Sequence, residues 1–181
     1  MVFALGGAFS AVAFGGSAQA ATTTATVKVT GGTLAFCSVS ATVDFPSVTL
    51  TGNPVSVTAD TALDVCDQTG LKAGWNISAT STTFNDGTAA FSSTTAMTVQ
   101  SAPSVACDAG YSCTVGVNDV AYPYTLPAAS SAPTPTKLFD AAANSGMLNQ
   151  TISVPWTLTV PADTATGTYT STWTFSLATG P

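Results

Sequence analysis

Side chains able to do acid–base or nucleophilic chemistry are scarce in this 181-residue chain. The chain contains no His, its nine acidic residues are all Asp, and its three basic residues are all Lys. Hydrolytic enzymes usually use His, a Cys thiolate, Lys or a pair of carboxylates to move protons or attack a substrate. The composition therefore predicts a protein that is not an enzyme and that carries no cofactor.

One acidic cluster, Asp60, Asp64 and Asp67, offers carboxylates close together in sequence. Two of them could serve as the acid and base of a glycoside hydrolase. Strand alternation places Asp60 and Asp64 on one face and leaves Asp67 in the following loop. Because Asp is a favoured turn residue, we predict a solvated face and turn caps rather than catalysis. The same oxygens could bind Ca²⁺, but the EF-hand spacing is absent, so we predict no metal site.

The four cysteines are Cys37, Cys66, Cys107 and Cys113, which allow three pairings. Cys107 and Cys113 flank a turn-rich loop and would close it locally, in which case Cys37 would pair with Cys66. A zinc site is the alternative, but no C-x2-C pair and no His is present. An even number of cysteines in a chain with an export signal predicts two disulfides.

Charged residues are few in this chain, and most of them are acidic. Charged residues make up 7% of the chain, the formal net charge is -6, and the only cations are Lys28, Lys72 and Lys137. Nucleic-acid binding needs clustered Lys or Arg to neutralise phosphates, so we predict no nucleic-acid partner.

Aromatic side chains are the remaining candidates for a binding role, because exposed rings stack on sugars. Trp75, Trp156 and Trp173 share their strand faces with aliphatic residues, which favours the core over a binding surface. We therefore predict that Tyr111, Tyr122 and Tyr124, which lie in an irregular region, are the surface-stacking residues.

The C-terminal residues show which elements must position these side chains. Apolar and polar residues alternate from Ile152 to Val160, the pattern of a strand with one buried face. Residues 161–167 are too many for a tight hairpin and predict a corner between two packed sheets. Beyond it, one face carries Tyr169, Trp173, Phe175 and Leu177. Tyr169 could hydrogen-bond back to the corner, as in a tyrosine corner.

These patterns predict an all-β fold, an immunoglobulin-like antiparallel β-sandwich over residues 21–181. Residues 21–29 predict a light first strand at a sheet edge. Residues 101–143 are rich in Pro and turn residues and predict a long irregular insertion, with short strands at 114–117 and 137–139.

Two of these segments resemble a known family. Trp156-Thr157-Leu158, together with the run from Tyr169 to Leu177, is similar to the C-terminal half of the WxL domain, a surface domain of Gram-positive and related bacteria. Residues 63–77, which end in Trp75-Asn76-Ile77, resemble the tryptophan segment earlier in that domain. The chain departs from the pattern at Ile77, where the family has Leu, and at Phe175, where it has Trp. The residues that carry the resemblance are Trp75, Ile77, Trp156, Leu158, Tyr169, Trp173, Phe175 and Leu177.

The resemblance implies a non-catalytic module that attaches non-covalently to the bacterial cell wall, with peptidoglycan as the expected ligand and other surface proteins as further expected partners. Residues 1–20 have the apolar run and the Ala-Gln-Ala end of an export signal, so we expect a secreted, extracellular protein at the cell surface. We expect no membrane span in the mature chain and no covalent anchor, because residues 178–181 carry no sortase motif. The alternative function is a filament or matrix subunit, in which residues 21–29 would complete a neighbour's sheet.

Overall fold

The computed structural model describes residues 21–181. The predicted export signal, residues 1–20, lies outside the described residues. Residues 21–30 belong to an N-terminal unit separate from the unit Gly31–Pro181. They form no strand, and Val27 and Val29 are 84% and 86% exposed. The prediction of an edge strand at 21–29 is therefore wrong, because these residues form no strand and their apolar side chains are exposed.

The unit Gly31–Pro181 consists of strands joined by loops, and no helix occurs among the described residues. The strands are β1 (Leu34–Val39), β2 (Val55–Asp67), β3 (Trp75–Thr82), β4 (Met97–Val99), β5 (Ser104–Cys107), β6 (Tyr124–Thr125), β7 (Ala128–Ala129), β8 (Thr136–Ala141), β9 (Leu148–Val160) and β10 (Trp173–Thr179).

Two sheets pack against each other around one core. The first has the order β1-β2-β9-β4-β6, with β5 also paired to β9. The second has the order β10-β3-β7, with β8 also paired to β3. Every pairing is antiparallel except the two-residue pairing of β3 with β7. The predicted all-β sandwich is confirmed, and its immunoglobulin-like character stays a prediction.

The longest pairing joins β2 to β9 along all 13 residues of each strand. In β9, every second residue from Gln150 to Val160 is buried, and the residues between them are partly exposed. The buried set includes Ile152, Val154, Trp156, Leu158 and Val160. The alternation read from the sequence is thus confirmed, and β9 is the central strand of its sheet.

The predicted corner between the sheets is also confirmed. The chain leaves the first sheet at Val160 and enters the second at Trp173. The Tyr169 hydroxyl donates a hydrogen bond to the carbonyl oxygen of Ala165 at 3.2 Å, which ties the ring to the corner. In β10 the odd-numbered residues face the core, and the Trp156 and Trp173 ring centroids lie 5.0 Å apart.

Residues 101–143 contain more strand than the sequence predicts. Four strands, β5 to β8, lie in this segment and join both sheets. The predicted strand at 137–139 falls inside β8. The one predicted at 114–117 is wrong, because only Thr114 forms a bridge there, to Met147. The segment therefore supplies core residues as well as loops.

Both predicted disulfides are present, Cys37 with Cys66 and Cys107 with Cys113. The first joins the neighbouring strands β1 and β2, at a shift in their register between Phe36 and Ser38. The second closes the short loop that follows β5. Two disulfides are typical of a protein that folds in an oxidising compartment, such as the extracellular space.

Candidate binding cleft

A cleft of about 840 Å³ opens at one end of the sandwich. Residues 43–50 form one wall and residues 164–169 of the corner form the other. A smaller cavity of about 410 Å³ adjoins it and shares with it Val43, Asp44, Phe84, Thr168 and Tyr169. We refer to the larger of the two as the end cleft.

The wall at 43–50 exists because the chain between β1 and β2 forms no strand. Pro46 lacks the N–H that a central strand requires, and the turn ending at Pro54 interrupts the chain again. Phe45 and Val48 are partly buried and pack against the core, so this segment covers the open end without pairing to either sheet.

Aromatic rings make one side of the end cleft apolar. The ring centroids of Phe45 and Phe84 lie 6.4 Å apart, those of Phe84 and Phe91 5.4 Å, and those of Phe91 and Tyr169 4.8 Å. Phe45 also lies 6.4 Å from Trp173, so the aromatic residues of the cleft continue into the core. Such an arrangement offers flat apolar surface to a ligand.

The polar side chains that line the end cleft are mostly hydroxyls. The hydroxyl of Thr164 is buried and has no hydrogen-bond partner among the described residues. Thr166 and Thr168 are exposed on the same wall, and Asp44 faces them with the only carboxylate of the lining. Ligand sites typically combine an apolar lining with a few such polar groups.

The three tyrosines predicted to stack on a ligand do not form one exposed aromatic surface. Only Tyr111 is exposed, at 58%. Tyr122 is half-buried and donates a hydrogen bond to the Leu138 carbonyl oxygen at 2.7 Å. Tyr124 is buried in the core, with its hydroxyl 2.9 Å from the Thr136 hydroxyl.

The expectation of an exposed stacking ring is therefore wrong for the buried Tyr124, and stacking by the half-buried Tyr122 stays a prediction. Burial raises the pKa of both phenols, which fits a structural role in which each stays neutral. None of the three tyrosines lines the end cleft.

The residues of the WxL resemblance lie in or against the core. Trp75, Ile77 and Trp156 are fully buried, and Leu158 is nearly so. Those on or beside β10 are partly buried and pack against the core: Tyr169, Trp173, Phe175 and Leu177. Leu158 and Tyr169 also line the end cleft.

The acidic cluster is split by the strand that carries it. Asp60 is exposed and Asp64 is partly exposed on the outer face of β2, as predicted. Partial burial and, secondly, the charge of Asp108 raise the pKa of the Asp64 carboxyl. A sulfur of each of Cys37 and Cys66 lies near the same carboxylate, but both are in a disulfide and offer no thiolate to a metal.

Asp67 is not in a loop, as the sequence predicted, but is the buried last residue of β2. Its carboxylate accepts hydrogen bonds from the Thr69 N–H at 3.1 Å and the Thr69 hydroxyl at 2.6 Å. The turn-cap role is therefore correct, although the position is not.

Sequence reasoning did not identify the residues of the end cleft. Phe45, Phe84 and Phe91 come from three separate segments, and Thr164 lies in a corner read only as a connection. No spacing rule links such residues, because the packing of the two sheets brings them together. The only local signal is Phe45-Pro46, an apolar residue followed by a proline that lacks the N–H a central strand requires.

Comparisons with protein-family models, with curated proteins and with solved structures gave no match to this chain. The WxL resemblance therefore remains a prediction from the residues quoted above. Within residues 21–181, no helix is long and apolar enough to cross a membrane.

Proposed function

We propose that this protein is a secreted, non-catalytic module that attaches non-covalently to the bacterial cell wall, with peptidoglycan or an associated glycan as its ligand. The observation that carries the proposal is the end cleft, with its aromatic side and the exposed Thr166 and Thr168 on its wall. Sugars present both apolar ring faces and hydroxyls, and the cleft offers a partner for each.

The small number of positive charges supports a binding mode that depends little on electrostatic attraction. The chain holds three Lys and nine Asp, so attraction to anionic wall polymers is weak. Salt screens exposed charges over about 8 Å at physiological ionic strength. Binding carried by hydrogen bonds and ring contacts should therefore persist when salt is raised.

Sedimentation of the protein with insoluble purified cell wall tests the proposal. The informative variant is Thr168→Val, which removes an exposed hydroxyl from the cleft and keeps the shape of the side chain. The matched control is Thr58→Val, since Thr58 is also exposed but lies on the outer face of β2, outside the cleft.

Neither variant should lose much stability, because both side chains are exposed. Binding to wall should fall by about tenfold for Thr168→Val, the equivalent of about 1.4 kcal/mol, and stay unchanged for Thr58→Val. Wild-type protein that remains in the supernatant with wall would overturn the proposal. Wall binding that is equal in both variants would exclude the end cleft as its site.

A further inference from the structure

β10 forms a free sheet edge. It pairs with β3 on one side and with no strand of the described chain on the other. Thr82 donates to the Thr172 carbonyl oxygen and Gly180 donates to that of Gly74, each at 2.9 Å. In an antiparallel pair, the hydrogen bonds between the strands fall on every second residue. The backbone N–H and C=O groups of the even-numbered residues of β10 therefore point towards β3. The backbone N–H and C=O groups of Trp173, Phe175 and Leu177 therefore point to the free edge.

β10 lacks the charge, the proline and the register shift that keep many edge strands from pairing with other molecules. β10 has seven residues, contains no charge and no proline, and pairs with β3 without a register shift. By contrast, β1 carries a register shift and a disulfide, β8 carries Lys137 and Asp140, and β6 and β7 have two residues each. Long, regular and uncharged edges are sites of strand addition.

The core side of β10 is also incompletely covered. Trp173, Phe175 and Leu177 are partly exposed, whereas the core-facing residues of β9 are buried. The smaller cavity, which touches Trp173 and Phe175, lies on this side. A strand added beside β10 would place its own inward side chains next to these three residues.

Residues 21–30 have the properties that this edge requires. Ala25, Val27 and Val29 alternate with polar residues, and the segment is exposed and unpaired. Its ten residues are enough to pair with the seven of β10. Lys28 is its only charge, whereas residues 31–181 hold all nine Asp and two Lys, so the two parts attract.

We infer that residues 21–30 of one copy add as a strand to the free edge of β10 in a second copy, with Ala25, Val27 and Val29 facing the core. Main-chain hydrogen bonds supply affinity in this form of recognition, and the inward side chains supply register. Donor segment and acceptor edge are different surfaces, so the contact is head-to-tail and propagates into linear assemblies. This association does not depend on binding to cell wall.

Sedimentation velocity of the chain carrying residues 21–181, at rising concentrations, tests the inference. The informative variant is Val27→Asp with Val29→Asp, and the matched control is Thr26→Asp with Thr30→Asp. Both add two charges to the same exposed segment, but only the first places them on the inward side. We expect the wild type and the control to form a ladder of oligomers, and the valine variant to associate at least about tenfold more weakly.

Hydrogen exchange locates the interface. The backbone N–H groups of Phe175 and Leu177 should exchange at least about tenfold more slowly in assembled wild type than in the valine variant. A wild type that stays monomeric at every concentration would overturn the inference. So would oligomers in which these N–H groups gain no protection, or protection in a monomer, which would mean that the segment pairs with its own sheet. Wall sedimentation of the same samples shows separately whether the proposed function fails.

Discussion

Trp75 and Trp156 allow a sharp test of how the core is held together. Both side chains are fully buried, and each ring packs against another aromatic ring, Phe139 or Trp173. They differ in one bond. The indole N–H of Trp75 donates to the Gly146 carbonyl oxygen at 2.7 Å, whereas the buried indole N–H of Trp156 has no hydrogen-bond partner within residues 21–181.

The hydrogen bond of Trp75 requires a glycine at position 146. Its φ is +71°, a region that glycine occupies without strain, and a Cβ there would lie 2.6 Å from the indole nitrogen. Any side chain at this position would therefore push the indole away from the carbonyl it binds.

Replacing either residue with Phe keeps an aromatic ring and removes the indole N–H. Trp75→Phe leaves the buried Gly146 carbonyl without this donor, which costs about 1–3 kcal/mol. Trp156→Phe removes an unsatisfied donor and recovers a similar amount, while both variants lose ring volume alike. We therefore expect Trp75→Phe to be less stable than Trp156→Phe by at least about 2 kcal/mol. For a domain of this size that difference is about 4–8 °C in melting temperature.

Urea unfolding followed by far-UV circular dichroism measures both variants without depending on tryptophan fluorescence. Equal destabilisation, or a greater loss in Trp156→Phe, would refute the reasoning and show that ring volume alone decides the cost. Phe139→Leu serves as a control, since it weakens the ring contact of Trp75 and keeps the hydrogen bond.

Two further predictions concern the cysteines and Asp64. The Cys37–Cys66 disulfide closes a separation of 29 residues and the Cys107–Cys113 disulfide one of 6. From the loop entropy of the unfolded chain, replacing the first pair with Ala should lower the free energy of unfolding by about 3–4 kcal/mol and replacing the second by about 2 kcal/mol. A larger loss for the second pair, measured by urea unfolding, would contradict this account. Because the pKa of Asp64 is raised above its ordinary 3.8, the folded state holds that proton more tightly, and the carboxyl lowers stability as pH rises from that value through the folded pKa. Asp64→Asn should therefore raise the melting temperature at about pH 7 and leave it unchanged at about pH 3, and the same gain at both pH values would show that charge is not the cause.

The sequence predicts most reliably where a strand has one buried face. Alternation in β9 and β10 identified the core side of both strands, because a period of two leaves each residue only one choice of face. The corner at 161–167 followed from its length, and the Tyr169 hydrogen bond from its position beside that corner. These features depend on neighbours along the chain, and such neighbours are visible in a sequence.

Features that depend on distant segments were missed. Tyr124 was expected at the surface because its region is rich in proline, yet β6 pairs with β4 and carries the ring into the core. Residues 21–29 have strand-like alternation but no partner strand, and alternation alone does not bury them. The end cleft lies between the segment 43–50 and the corner, and no local sequence pattern predicts that these two segments lie close together.

Because charged side chains are scarce in this protein, the free edge of β10 carries none. Proteins usually protect exposed sheet edges with charged side chains, Lys above all, and this chain has three Lys and none on β10. Its outward residues on that strand, Thr174 and Ser176, solvate the face of the sheet but leave the backbone groups at the edge free to pair. Ser and Thr can keep such a surface soluble, yet they give no repulsion between copies. With a net charge of -6 as the only general repulsion between copies, the strand exchange inferred above makes the β10 edge the feature on which self-association depends.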